Sequence, residues 1–167
     1  MKKLIPFCCA ALAFAPMGAA WASPKTPDAM TGSYWLQMEN GYQRAITLDP
    51  SGNAFQVSDQ AAYHNFTTGL GTWQADSDNR ARITIVDFNT NGEAGNRAGS
   101  SVVNYDLNFD DLVAGQYQSV TGNISGQQFS KGDNPFKPAQ DPIRTFGYSF
   151  SGQSISVTDH KEAETAS

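Results

Sequence analysis

A chain of 167 residues with sixteen carboxylates against eleven Lys and Arg carries a net charge of −5. That balance argues against nucleic acid and an anionic bilayer as partners, since both require a basic face. Two cysteines among 167 residues do not make a disulfide scaffold, so stability has to come from an ordinary apolar core.

The first residues read as an export signal. Lys2 and Lys3 form a positive start, Leu4 to Ala15 are nearly all apolar, and Ala20-Trp21-Ala22 offers small residues where a signal peptidase cuts, before Ser23. The apolar run is too short to span a membrane. Cys8 and Cys9 lie within it, so removal of residues 1–22 leaves a mature chain without cysteine. Lys2 and Lys3 leave too, so nine basic residues face sixteen acidic ones, a net of −7 over 145 residues. These features predict a periplasmic or secreted protein that does not touch the membrane after cleavage.

Residues 23–30, with two prolines, are expected to be a tether, and the domain to occupy residues 31–158. Thr31 to Met38 is a strand with Tyr34, Leu36 and Met38 on one face and Trp35 on the other. Glu39-Asn40-Gly41 turns the chain, Tyr42 to Asp49 forms a second strand, and Pro50-Ser51-Gly52-Asn53 turns it again. Ala54 to Asp59 follows, with Phe55 and Val57 sharing a face. Gln60 to Asn65 is a connection. Phe66 to Phe88 is a hairpin whose turn is drawn from Asp76, Asp78, Asn79 and Arg80.

Asn89 to Ser100 is polar and glycine-rich, the composition of a loop. In the strand from Ser101 to Phe109, Val103, Tyr105, Leu107 and Phe109 share a side, and Asp110-Asp111 opens the next turn. Ala114 to Gln128 is a strand interrupted by Gly122 and Gly126. Ser130 to Ile143 holds three prolines and is irregular; with Phe136 between Pro135 and Lys137-Pro138, it is either a lid or a plain connection. Arg144 to Phe150 and Gln153 to Val157 form a last pair about Ser151-Gly152, and residues 159–167 form a polar tail. Eight or nine short strands separated by tight turns predict an all-β, antiparallel up-and-down meander of about eight strands that closes into a barrel. A two-sheet sandwich is the alternative.

Gly71-Thr72-Trp73, followed after a turn by Ile83-Thr84-Ile85-Val86-Asp87-Phe88 and preceded by Leu48-Asp49-Pro50-Ser51-Gly52-Asn53-Ala54-Phe55, resembles small secreted bacterial barrels. These in turn resemble the calycin type, which includes lipocalins, and the allene-oxide-cyclase type. Lipocalins carry their Gly-x-Trp in the first strand, where this chain has Gly32-Ser33-Tyr34-Trp35. The calycin resemblance implies a small apolar ligand in the barrel; the cyclase resemblance implies steering of a reactive small molecule.

For a ligand site, the large groups on the strand faces are the expected lining: Tyr34, Phe55, Trp73, Tyr105, Phe146 and Tyr148. The same bulk is equally suited to filling the barrel. For acid–base chemistry the weak candidates are Asp87, His64 and Tyr105. Asp87 shares a face with Ile83 and Ile85, and parity alone does not say whether that face points inward. Arg82, five residues away, lies on the opposite face, so only one of the two enters the interior through this strand. No metal-ligand spacing, nucleophile motif or phosphate loop occurs, so no metal or cofactor is expected. The three functional readings are a binder of a small apolar molecule, an isomerase or cyclase on the same barrel, and a packed barrel whose loops contact a partner. The sequence does not set the oligomeric state.

Overall fold

The computed structural model describes residues 28–61, 66–90 and 97–156. The signal segment, most of the tether, His64 and the tail lie outside the described residues.

Eight antiparallel strands run in sequence order and close on themselves. They are β1 (Gly32–Met38), β2 (Gln43–Leu48), β3 (Asn53–Ser58), β4 (Gly69–Ser77), β5 (Arg80–Thr90), β6 (Arg97–Val113), β7 (Gln116–Ser130) and β8 (Arg144–Ser154). The closing seam pairs Tyr34 with Ser154 and Met38 with Phe150. A sandwich has no such seam, so the barrel reading holds.

The period-2 pattern sorts each strand into an inner and an outer face. Tyr34, Leu36 and Met38 point inward, as do Ile83 and Ile85, and so do Val103, Tyr105, Leu107 and Phe109. On β3 the parity is opposite to that suggested by hydrophobicity. Ala54 and Gln56 are buried, whereas Phe55 and Val57 are exposed on the outer wall. The register explains this: Phe55 stands between Thr47 and Leu70, and Val57 opposite Ala45, all on the outside. With Trp35 and Leu70 they leave an apolar outer wall across β1 to β4.

Several boundaries differ from the sequence reading. Arg144 to Ser154 is one continuous strand, because Ser151 and Gly152 both pair with β7 and with β1. Asp110 and Asp111 lie within β6; the turn is two residues long at Ala114-Gly115, with φ of 50° and 85°. Positive φ at both central residues is the twist-matched hairpin turn. β5 extends to Thr90 and β6 begins at Arg97, so both ends of the predicted loop are strand, and residues 91–96 lie outside the described residues. Met30, assigned above to the tether, is fully buried in a short 3-10 turn, Asp28–Met30.

The meander makes the two ends unequal. The β2–β3, β4–β5 and β6–β7 turns are tight and share one end. The longer connections, from β3 to β4 and from β7 to β8, share the other with the β1–β2 turn. At the tight end, Tyr34, Phe109 and Tyr117 pack together, with Tyr34 and Phe109 meeting edge to face at 5.4 Å between ring centres. Tyr34 Oη donates to the Met30 carbonyl (3.1 Å), fastening the 3-10 turn across this end.

The Gly71-Thr72-Trp73 motif has a structural role here. A Cβ on Gly71 would run into the Thr84 carbonyl of the neighbouring strand. Trp73 donates through its indole to the Asp49 carbonyl (2.8 Å) and through its backbone amide to Gly52 (2.8 Å). It thereby pins the β2–β3 hairpin beneath the barrel.

Candidate functional site

The opposite end is a mouth. A cavity of about 240 Å³ opens there, lined by Arg44, Gln60, Phe66, Asp87, Asn89, Ser101, Val103, Gln128, Arg144, Phe146 and Tyr148. Its position follows from side-chain polarity along the inward faces. Toward the mouth these faces exchange Leu, Ile and aromatic residues for Arg44 and Gln56 on β2 and β3, Asp87 and Asn89 on β5, and Ser101 on β6. The strand pairing brings Asp87 opposite Ser101, and Ser101 opposite Gln128.

Arg44 enters from β2 and is 5% exposed. Its Nη1 donates to Gln56 Oε1 (3.0 Å) and to Tyr105 Oη (3.1 Å), and its Nη2 donates to Gln60 Oε1 (3.1 Å). Tyr105 Oη in turn donates to Gln56 Oε1. These bonds hold the guanidinium in one plane and one direction. Its Nε has no protein partner, nor does Gln56 Nε2.

Asp87 is 4% exposed. Burial raises its pKa to about 6, against the lowering effects of a hydrogen bond from Ser101 and of the nearby Arg44 charge. One carboxylate oxygen, Oδ1, is buried without a partner. Asn89 Nδ2 donates to Ser101 Oγ (2.8 Å), which orients the serine beside the carboxyl group. On the far wall, Phe146 and Tyr148 stack with ring centres 6.2 Å apart. Gly126 makes room for them: a Cβ there would strike the Phe146 ring. The two glycines of β7 therefore mark close packing across the strands, since Gly122 likewise faces Phe150 and the Asp106 carbonyl.

The predicted residues are thus dispersed. Asp87, Phe146 and Tyr148 meet at the cavity. Tyr105 is fully inside, one step below it, with its hydroxyl committed to Arg44 and Gln56; burial raises its pKa. Tyr34 and Trp73 belong to the closed end, where burial pushes the Tyr34 phenol up to about 12. Phe55 faces outward and is no part of the interior. Arg82 is outside too, donating through Nε and Nη2 to Asp76 Oδ1 (3.0 and 2.8 Å). His64 is outside the described residues. Among the described residues no group of three His, Cys, Asp or Glu side chains gathers to hold a metal.

No family model, curated protein or solved structure matches this chain. The site therefore has to be read from its own chemistry.

Arg44 and Gln56 are the residues that sequence reasoning missed. The signal for Arg44 was present: it shares a face with Ile46 and Leu48, an isolated polar group on an apolar stripe. Gln56 was hidden because Phe55 and Val57 are the more hydrophobic pair on β3, yet take the outer face. The Ser130 to Ile143 segment is irregular as expected. Asp133 Oδ1 accepts from the Asn134 and Ala139 amides, and Phe136 projects into solvent.

Proposed function

We propose that this protein is an exported barrel that binds a small molecule in the cavity at its mouth, on the plan of calycin-type binders. The reading rests on one observation. Arg44 and Asp87, both more than nine-tenths buried, line that cavity, and each has one enclosed side-chain atom, Arg44 Nε and Asp87 Oδ1, without a protein partner. A buried polar atom that stays unpaired costs about 1–3 kcal/mol, more when charged. A bound molecule that satisfies such atoms recovers that free energy on binding. The ligand is accordingly not purely apolar: it combines a polar head for Arg44 and Asp87 with a body that lies against Phe66, Phe146 and Tyr148.

The isomerase or cyclase reading draws on Asp87, a carboxyl group with a pKa of about 6 that could exchange a proton with a bound molecule. Binding is the better supported of the two, because Tyr105, the second acid–base candidate, does not line the cavity and has its hydroxyl occupied. Mass spectrometry of small molecules released from the purified mature protein tests the proposal, with Val103→Phe as a cavity-filling control. A species that accompanies the wild type and is lost from the folded variant is the expected result. No released species, together with no loss of thermal response to small amphiphiles in Val103→Phe, would defeat it.

A further inference from the structure

We infer that the ligand of the mouth cavity is a small planar organic anion, a monocarboxylate, held by Arg44 from below and Arg144 at the rim. The inference rests on the binding function proposed above and assigns its ligand class. Three observations carry it.

The first is charge. Among the lining residues there are two guanidinium groups, Arg44 and Arg144, and one carboxyl group, Asp87. The lining is therefore positive whether or not Asp87 is ionised, within a protein that is negative as a whole. A cation would meet two like charges, the buried Arg44 and the exposed Arg144 at the rim, whereas an anion meets opposite ones.

The second is donor geometry. Arg44 is held by Gln56, Gln60 and Tyr105 through its terminal nitrogens, which fixes its charge at the floor of the cavity, while its enclosed Nε is unpaired. An N–H donor carrying positive charge pairs best with a carboxylate oxygen.

The third is shape. The stacked Phe146 and Tyr148 present two rings on one side of a cavity whose lining is otherwise mostly polar. A volume of about 240 Å³ corresponds to roughly eight water molecules at about 30 Å³ each, the space of a one- or two-ring acid.

Asp87 then controls the strength of binding. The groups that face it around the cavity are Arg44 from β2, Gln60 after β3, Asn89 on its own strand, Ser101 from β6, Gln128 from β7, and Arg144 and Tyr148 from β8. It is the only carboxyl group among the described lining residues. Ionised, it competes with the ligand for Arg44. Protonated, it stops repelling the ligand and can donate a hydrogen bond to it. The anion is therefore held more tightly as the pH falls from about 8 to about 5.5, a range that leaves a carboxylate ligand itself ionised.

Calorimetric titration of the mature protein with 2-naphthoate and with its neutral isostere 2-naphthamide, at both pH values, tests this. The naphthoate is expected to bind at least about tenfold more tightly than the amide, as a desolvated charge pair requires. Its affinity is expected to rise several-fold at the lower pH. Arg144→Gln, an exposed position that the fold tolerates, should weaken naphthoate and leave naphthamide unchanged. Asp87→Asn should bind naphthoate at pH 8 as the wild type does at pH 5.5, and His64→Gln should keep the wild-type pH dependence. Equal affinity for acid and amide would overturn the anion assignment and leave the cavity a binding site. If neither probe binds, and Val103→Phe changes nothing, the assignment and the binding function fall together. A pH dependence that survives in Asp87→Asn and vanishes in His64→Gln would remove Asp87 from its role.

Discussion

At the closed end, Tyr34, Trp73 and Tyr117 each bury a large ring and each give their polar tip a backbone carbonyl, those of Met30, Asp49 and Asp78. At the mouth, Arg44 and Asp87 are buried as deeply, yet each keeps an atom without a partner. Tight two- and four-residue turns bring the strands together at the first end. The β3–β4 and β7–β8 connections at the second are longer. The polar inventory is complete at the packed end, and the proposed binding site lies where it is not. A buried group left unsatisfied in the folded chain is tolerable only where a ligand or solvent completes it.

The largest expected effect separates the two ends. Phe109→Ala removes a fully buried ring that touches both Tyr34 and Tyr117, and should cost about 3–5 kcal/mol. Chemical denaturation would read that loss, while the fraction still folded should bind naphthoate with unchanged affinity. A parallel loss of affinity would mean that the ends are not independent.

Next comes the carboxyl group at the mouth. The pKa of Asp87 is raised from 3.8 to about 6 in the folded protein, so its ionisation opposes folding. The cost is absent below about pH 4, where both states are protonated, and grows until the pH has passed about 6. It amounts to about 3 kcal/mol at most. Asp87→Asn should therefore raise the melting temperature at pH 7.5 and have little effect at pH 3.5. The opposite trend would mean that Arg44 outweighs burial at this position.

Gly126→Ala tests how the cavity wall is shaped. The new methyl group meets the Phe146 ring, so a loss of about 1–2 kcal/mol is expected, with recovery in the Gly126→Ala, Phe146→Leu double variant. The smallest effect is at the closed end: Ala114, at φ 50°, is the wrong residue for a left-handed turn position. Ala114→Asn should stabilise by about 0.5 kcal/mol in thermal melts without touching ligand affinity.

How much of this was legible depended on whether one face of a strand stood out. Val103, Tyr105, Leu107 and Phe109 alternate with Asn104, Asp106 and Asn108, and so announced their side of β6 at once. On β5 both faces are apolar, with Ile83 and Ile85 on one and Val86 and Phe88 on the other, so Asp87 could not be oriented. On β3 the louder face, Phe55 and Val57, turned out to be the outer one. Turns were readable where chemistry marked them, as at Asn40-Gly41 and at Asp49, whose carboxylate caps the Ser51 and Asn53 amides. The Ala114-Gly115 turn was not, because alanine carries no turn signal.

By itself, then, the sequence determined the kind of strands, their approximate number, and the all-antiparallel meander, because alternation and turn chemistry are local properties of a chain. Only the tertiary structure decided that the last strand returns to pair with the first, which end is packed and which is open, and that Arg44 and Asp87 arrive from distant strands at one cavity. Those outcomes depend on the stagger between neighbouring strands. That stagger is set by contacts summed around the whole barrel, and no single stretch of residues records it.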